Sequence, residues 1–456
     1  MVSAHEYDEA VQRYIRDIED DLRKVSMSIH DRPEVGWEEY HAHKVLTDFM
    51  DKQDGFKVTR HAYDLETAWS AVFTSSAAEN AKQVPTIGFN SEMDALKGLG
   101  HACGHNLIAI AGCASAVATA RALEEFSLPG RVILLGTPAE EGGGGKAIML
   151  ERDAYKGMDA CLMLHPGGGQ DGKHGAGVIT SNCISGIKAT FHGVSSHAGA
   201  TPELAVNALD AAFVAYSAIS ALRQQLAPGT KVHGIITGSD EWSPNEPIVI
   251  PSKATMLYGL RTESSFTLAD LIPRVLRCFE GAATATGCSL ELEREHLYLE
   301  LRQSGPLAKE FAAAAARCWH SDDGESYHVE MHAKTGASTD FGNVSYHVPA
   351  LHPMFNLPEA GPKDQPHAAS YAKTTALPSS HEATLRASTA LALTALKVLT
   401  SKDLRDEMYK AWKEDLKAID AEHAIERLHK VLPEKQGARG KSSDHDHEDG
   451  HFGCQH

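Results

Sequence analysis

A cysteine and a histidine two residues apart, in the run His101-Ala102-Cys103-Gly104-His105, could share a metal ion. A thiolate and an imidazole suit zinc, and the run lies between a strand-like and a helix-like stretch, where open α/β sheets place their sites. A buried cysteine beside surface histidines would read the same way, and this run alone does not separate the two. A second group, Thr137-Pro138-Ala139-Glu140-Glu141 with four glycines after it, follows another strand-like stretch. Adjacent carboxylates are costly there unless positive charge is near. A metal cluster supplies that charge; one carboxylate can ligate while its neighbour takes a proton from an activated water. A solvated acidic turn is the plainer alternative. The glycines lack the Gly-Lys-Ser/Thr ending of a phosphate loop, and two carboxylates would repel phosphate. Leu164-His165-Pro166 ends the next strand-like stretch. Cys103, His105, Glu141 and His165 therefore all fall at strand ends of one sheet, a stronger pattern than any member alone. Cys103 as a nucleophile with His101 or His105 as base is a poorer reading. Residues two apart on a turn rarely align for it, and the glutamate pair would have no role.

The elements that must position these residues follow from periodicity. Residues 7–28 place apolar side chains at helical spacing. Residues 84–94, 131–135 and 160–164 predict buried strands, and the Ala-rich stretch 106–125 predicts a helix between the first two. This is an α/β pattern: a central, mainly parallel sheet flanked by helices. Near Ser185 the pattern changes to strand (187–192), helix (206–225), strands (231–237 and 254–261), helix (268–286) and strand (289–299). That order fits a ferredoxin-like α+β module. A catalytic-type loop returns at 335–343, so the module reads as an insertion. The expected domains are a discontinuous metal-binding catalytic domain (1–185 and 302–432), a lid or dimerisation domain (186–301) and a disordered His-rich tail (433–456). Helices are expected at 380–400 and 402–427.

Composition bounds the partners. The 456 residues exceed what one ordinary domain needs. With 43 Lys plus Arg against 61 Asp plus Glu, the formal charge of −18 argues against a nucleic-acid partner. A small substrate stays open, because a local pocket can oppose the global charge. The absence of a run of about 18 apolar residues predicts no membrane span. The acidic first 24 residues carry no apolar signal region, and the eight cysteines have no framework spacing. Both point to a reducing compartment, the cytoplasm.

The segments IHDRPEVGWEE, EMDALKGLGHACGHNLIA, GTPAEEGGGGK, LHPGG, FHGVSSHAGATPELAVNALDA, LRQQ, VHGII and GASTDFGNVS follow one another through most of the chain. In that order they resemble the aminoacylase and dipeptidase metallopeptidases of family M-twenty, in particular its branch of dipeptidases and amidohydrolases. The resemblance implies two divalent ions, zinc or manganese, with Cys103 shared between them and His105, Glu141 and His165 as further ligands. His367 stands where the last ligand is expected; His381, which also precedes an apolar helix, is its rival. Glu140 would be the general base and later the acid toward the leaving amine. His197 would reach an active site, often a partner subunit's, and polarise the scissile carbonyl, which implies a homodimer. Asn207 would stand near the substrate, Arg261 would clamp its carboxylate, and Gly336, Ser338 and Thr339 would offer it polar groups. Asp94 and Asn343 would orient the site.

The implied reaction is hydrolysis of the amide bond of a dipeptide or N-acyl amino acid. The same site could instead condense an acyl donor with an amine, or the fold could persist in a non-catalytic binding protein. Three departures stand out: Lys97, where the family commonly has Pro; 238–251, where Glu241, Trp242 and Glu246 flank the expected Pro-Asn; and 362–378, the stretch around His367, which matches the family poorly. Glu241 and Glu246 would favour basic substrates.

Overall fold

Small side chains let an alanine-rich helix be surrounded on every side, and α3 (His105–Glu125) is buried along nearly its whole length. In the computed structural model, which describes residues 3–78, 81, 83–168, 175–237, 246–318 and 327–432, α3 packs between α1 (Ala4–His30), α10 (Pro378–Thr400) and the central sheet. Contrary to the expectation from run length, it is long and apolar enough to cross a membrane, but 94% of that stretch is buried in the protein. α1 starts at a capping box: the Ser3 hydroxyl accepts from the Glu6 N–H, and the Glu6 carboxylate accepts from the Ser3 N–H.

The central sheet contains β1 (Lys57–Arg60), β2 (Trp69–Thr74), β3 (Thr86–Glu92), β4 (Arg131–Thr137), β5 (Ala160–Leu162) and β13 (Ala350–Leu351). Their order is β1-β2-β4-β3-β5-β13. The four strands from β4 to β13 run parallel, and β2 and β1 add an antiparallel edge backed by α2 (Tyr40–Met50). β3 is buried at all seven positions, as expected of a strand covered on both faces, and its polar end (Asn90, Ser91 and Glu92) leads to the site. α4 (Gly145–Glu151) and α8 (Phe341–Ser345) pack together at one end, and α7 (Gly305–Cys318) packs on α10.

The inserted module has β8 (Cys183–His192), β9 (Lys231–Ile236), β10 (Lys253–Thr262) and β11 (Ser289–Tyr298) in the antiparallel order β11-β8-β10-β9. With α5 (Ala208–Leu222) and α6 (Ser265–Thr286) on its apolar face, this is the ferredoxin-like topology. The expected domain limit at 185/186 falls inside β8. A third sheet was not foreseen: β6 (His165–Gly167), β7 (Gly175–Thr180), β12 (His328–Lys334) and β14 (Pro353–Asn356), ordered β12-β7-β14-β6.

The single helix expected at 402–427 is two, α11 (Lys402–Ala418) and α12 (Ala421–Val431). Asp420 breaks it with φ of 46°, and α12 turns to pack on α6, adding Ala421 and Leu428 to the module's core. The short α9 (Ala369–Thr374) leads into α10. The His-rich stretch 433–456, Glu241 and Trp242 lie outside the described residues. Glu246 is exposed.

Candidate metal centre

Side chains two apart on a strand share a face, so Glu92 at the end of β3 and Asp94 just beyond it point the same way. Both are buried. The Asp94 carboxylate accepts from His105 Nδ1 at 3.0 Å and from the Glu141 N–H at 2.9 Å, tying the first residue of α3 to the loop after β4. Gly104 makes the approach possible: its φ is 85°, and a Cβ there would lie 2.5 Å from the Pro166 ring. The loop can therefore press against β6, where Cys103 Sγ lies 3.5 Å from His165 Nε2. His165 Nδ1 donates to the Pro166 carbonyl at 2.7 Å. In both histidines the acceptor holds the Nδ1 proton, so the neutral ring presents its Nε2 lone pair to a cation.

His367 arrives from the loop before α9. Its backbone N–H donates to the Ala102 carbonyl at 2.8 Å, and its Nε2 lies 3.3 Å from Glu141 Oε1. Its φ of 73° is unusual for a residue with a Cβ, the kind of strain that surrounding contacts must hold in place. Tyr298, at the end of β11, donates its hydroxyl proton to the Glu140 carbonyl at 2.7 Å and accepts from the Gly144 N–H at 3.0 Å. The inserted module is thereby fastened to the Glu140 loop.

Three triads bring their ligand atoms within 4.8 Å of one another: Cys103, His105 and His165; Cys103, Glu141 and His367; and Glu92, His105 and Glu140. Cys103 belongs to the first two. His105 Nε2 makes no hydrogen bond, yet lies within 3.4 to 3.9 Å of oxygens of Glu92, Glu140 and Glu141. Glu92, Asp94, Glu140 and Asp340 are buried, with Glu141 nearly so, against one buried ammonium, Lys146. Burial, then Glu92 and Glu141, holds the Glu140 carboxyl well above the usual range. Burial also pushes Glu141 up, but its hydrogen bond with His367 and the His105 charge outweigh that and leave it low. Burial and the Glu141 charge raise the Cys103 thiol. A thiol, imidazole lone pairs and excess carboxylates converging on one buried point suit a divalent cation, which would favour every deprotonated form.

Lys146 Nζ lies 2.6 Å from Asp340 Oδ1 and 2.5 Å from Glu92 Oε1, all three side chains fully buried. Lys146→Met would leave two buried carboxylates without their ammonium, Asp340 keeping only the backbone N–H at position 146. It is expected to destabilise the fold by about 3–5 kcal/mol, read as a lower denaturation midpoint; an unchanged midpoint would show that the ammonium is dispensable.

The centre forms one wall of a cavity of about 970 Å³, lined by Cys103, Glu140, Glu141, His165 and His367. Arg261, Gly336, Ser338 and Thr339 line it too, and Arg261 donates to Ser338 Oγ at 3.0 Å. His197 and Asn207 do not line it. His197 is exposed on the inserted module, its Nδ1 accepting from the Gly199 and Ala200 N–H groups. Asn207 caps α5, its Oδ1 accepting from the Leu209 and Asp210 N–H groups. Asn343 bonds the backbone of Leu297 and Leu299, and so braces the end of β11 rather than the centre. His381 is buried on α10 among charges of α1; burial and Arg23 push it down to about 4, and it does not line the cavity. Sequence reasoning missed Glu92, Lys146, Asp340, Tyr298 and His352. His352 is buried beside His165, and neither of its ring nitrogens has a hydrogen-bond partner.

Residues 83–393 match the model of Peptidase family M20/M25/M40, more than half of the chain. The chain belongs to this family. It is 34% identical over 440 residues to the Xaa-Arg dipeptidase of Homo sapiens, covering 93% of this chain and 94% of that protein. It is 31% identical over 304 residues to a p-aminobenzoyl-glutamate hydrolase polypeptide of Escherichia coli (strain K12), covering 62% of this chain and 60% of that one. Among solved structures, a Klebsiella pneumoniae aminobenzoyl-glutamate utilization protein superposes with a TM-score of 0.64 at 19% identity, over 85% of this chain and 98% of that one. A Bacillus subtilis dinuclear metal-binding peptidase superposes with a TM-score of 0.58 at 20% identity, over 84% of this chain and 99% of that one. At these identities the structural likeness speaks for the fold. Family membership and the named relatives make the chain a metal-dependent hydrolase.

Proposed function

We propose that this hydrolase cleaves the amide bond of dipeptides or N-acyl amino acids at a centre of two divalent ions, zinc or manganese. The carrying observation is the pair of ligand triads that share Cys103, with Glu140 beside them. Cys103, His105 and His165 would hold one ion; Cys103, Glu141 and His367 would hold the other. When bound, the ions would supply Lewis acidity, lowering the pKa of water and polarising the amide carbonyl.

The chain's own groups supply the rest. Glu140 takes a proton from water, and its burial among other carboxylates gives it the basicity to do so. It returns the proton to the leaving nitrogen. Arg261, oriented by Ser338, grips the substrate carboxylate in the cavity. Gly336 and Thr339 line the same cavity. His197 would serve the oxyanion of a partner subunit's site in a homodimer. The exposed apolar residues Val194, Leu204, Phe213, Ile235 and Ile248 of the inserted module support such a dimer.

A panel of dipeptides and N-acyl amino acids, incubated with manganese- or zinc-loaded protein and read by mass spectrometry, tests the reading. Release of both halves from some members is expected. Intact substrates throughout, with condensation when the free halves are supplied, would replace hydrolysis by synthesis. Sedimentation as a monomer would remove the proposed role of His197.

A further inference from the structure

β11 does not pair regularly with β8. Arg294 lies opposite Ile187 and Leu297 opposite Ser185, so Glu295 and His296 together face the single residue Gly186. This is a β-bulge, the device that re-aims a side chain beside a site. On a regular strand, consecutive residues point to opposite faces. Here Glu295 and His296 both line the cavity. Gly186 leaves the room: a Cβ there would lie 2.5 Å from the His296 ring and 3.1 Å from the Glu295 Cβ.

The cavity wall contains three carboxylates: Glu140, Glu141 and Glu295. The first two belong to the metal centre. On the regular part of the same strand, Glu293 is neutralised by Lys188 at 3.1 Å. Glu295 has no ion pair among the described residues; burial raises its carboxyl, and the more distant Lys188 charge works against that rise. Its neighbour His296 is pushed down to about 4 by burial and by Arg261, so it offers no charge near neutral pH. The cavity's permanent cation, Arg261, sits on β10 opposite Ile184, and Ile184 in turn faces Tyr298 of β11. Arg261 and Glu295 thus stand on the two strands that flank β8, offset by two residues along it, with backbones about 12 Å apart from two strand spacings and two residues of rise.

We infer that Glu295, which shares the cavity face of β11 with the bulged His296, is the specificity-determining residue for the C-terminal half of the substrate, pairing with a cationic side chain whose own carboxylate is held by Arg261. A lysine- or arginine-sized residue carries those two charges at opposite ends and spans the two strands. The inference rests on the hydrolase reading above and assigns one side chain to the choice of leaving amine.

Matched substrates test it: one acyl half joined to lysine or to norleucine, and the same half joined to arginine or to citrulline. For the metal-loaded wild type, kcat/KM is expected to favour the cationic member of each pair by about tenfold or more. In Glu295→Gln the ratio is expected to fall to near one, mainly through KM, and Glu295→Lys is expected to favour a glutamate-bearing dipeptide. The same ratios are read as calorimetric affinities in Glu140→Gln and in Glu140→Gln with Glu295→Gln, which needs no turnover. Turnover with equal ratios in wild type and Glu295→Gln would overturn the role of Glu295 and leave the hydrolase reading intact. No turnover and no binding of any member would overturn both.

Discussion

Glu140→Gln is expected to lower kcat by about a thousandfold while the protein keeps its metal. Glutamine matches the size of the side chain and can still hydrogen-bond, but it cannot accept the proton. Glu140 is suited to the task by its surroundings: it is buried, and Glu92 and Glu141 add to the burial in raising its carboxyl. It also sits on a loop held by the Tyr298 hydroxyl, so the substitution should not move the backbone. Steady-state kinetics and elemental analysis of the same preparation separate the effects. A fall in kcat at constant metal content is the expected result; near-wild-type kcat would take the base role away from Glu140.

Removing the shared thiolate should act on metal rather than on the proton. Cys103→Ala deletes a ligand common to two triads, and His105→Ala deletes a lone pair surrounded by carboxylates. Each is expected to weaken binding at least about a hundredfold, since loss of a mere outer-shell partner can cost 10–100-fold. In Cys103→Ala both ions should be affected. His381→Ala is the control, because that side chain lies against α1 away from the cavity. Metal content after dialysis against a weak chelator reads all three. Full retention in Cys103→Ala, or loss in His381→Ala, would reject the proposed ligand set.

The reaction centre was legible in the sequence where residue type and strand position agreed. Cys103, His105, Glu140, Glu141 and His165 each follow a predicted strand, and the structure brings them together. Glu92 escaped notice, although its spacing of two from Asp94 on a strand was a usable signal. Lys146 looked like the polar end of a glycine run; only the fold shows that it is buried between Glu92 and Asp340. The third sheet was missed for different reasons along its strands. β6 is three residues long and contains a proline, whereas β12 (HVEMHAK) alternates in burial as a half-covered strand should and could have been found. Asp420 gave little warning of the break before α12, because left-handed backbone at an aspartate depends on tertiary packing. The bulge at Glu295 was invisible, since register is a property of the strand pair rather than of either strand.

Anomalous diffraction from crystals of the zinc-loaded full chain tests the shared-thiolate centre most directly. Two zinc peaks are expected per chain, both within bonding distance of Cys103 Sγ, one also bonded to His105 and His165 and the other to Glu141 and His367. A single peak, or two peaks of which only one contacts Cys103, would contradict it.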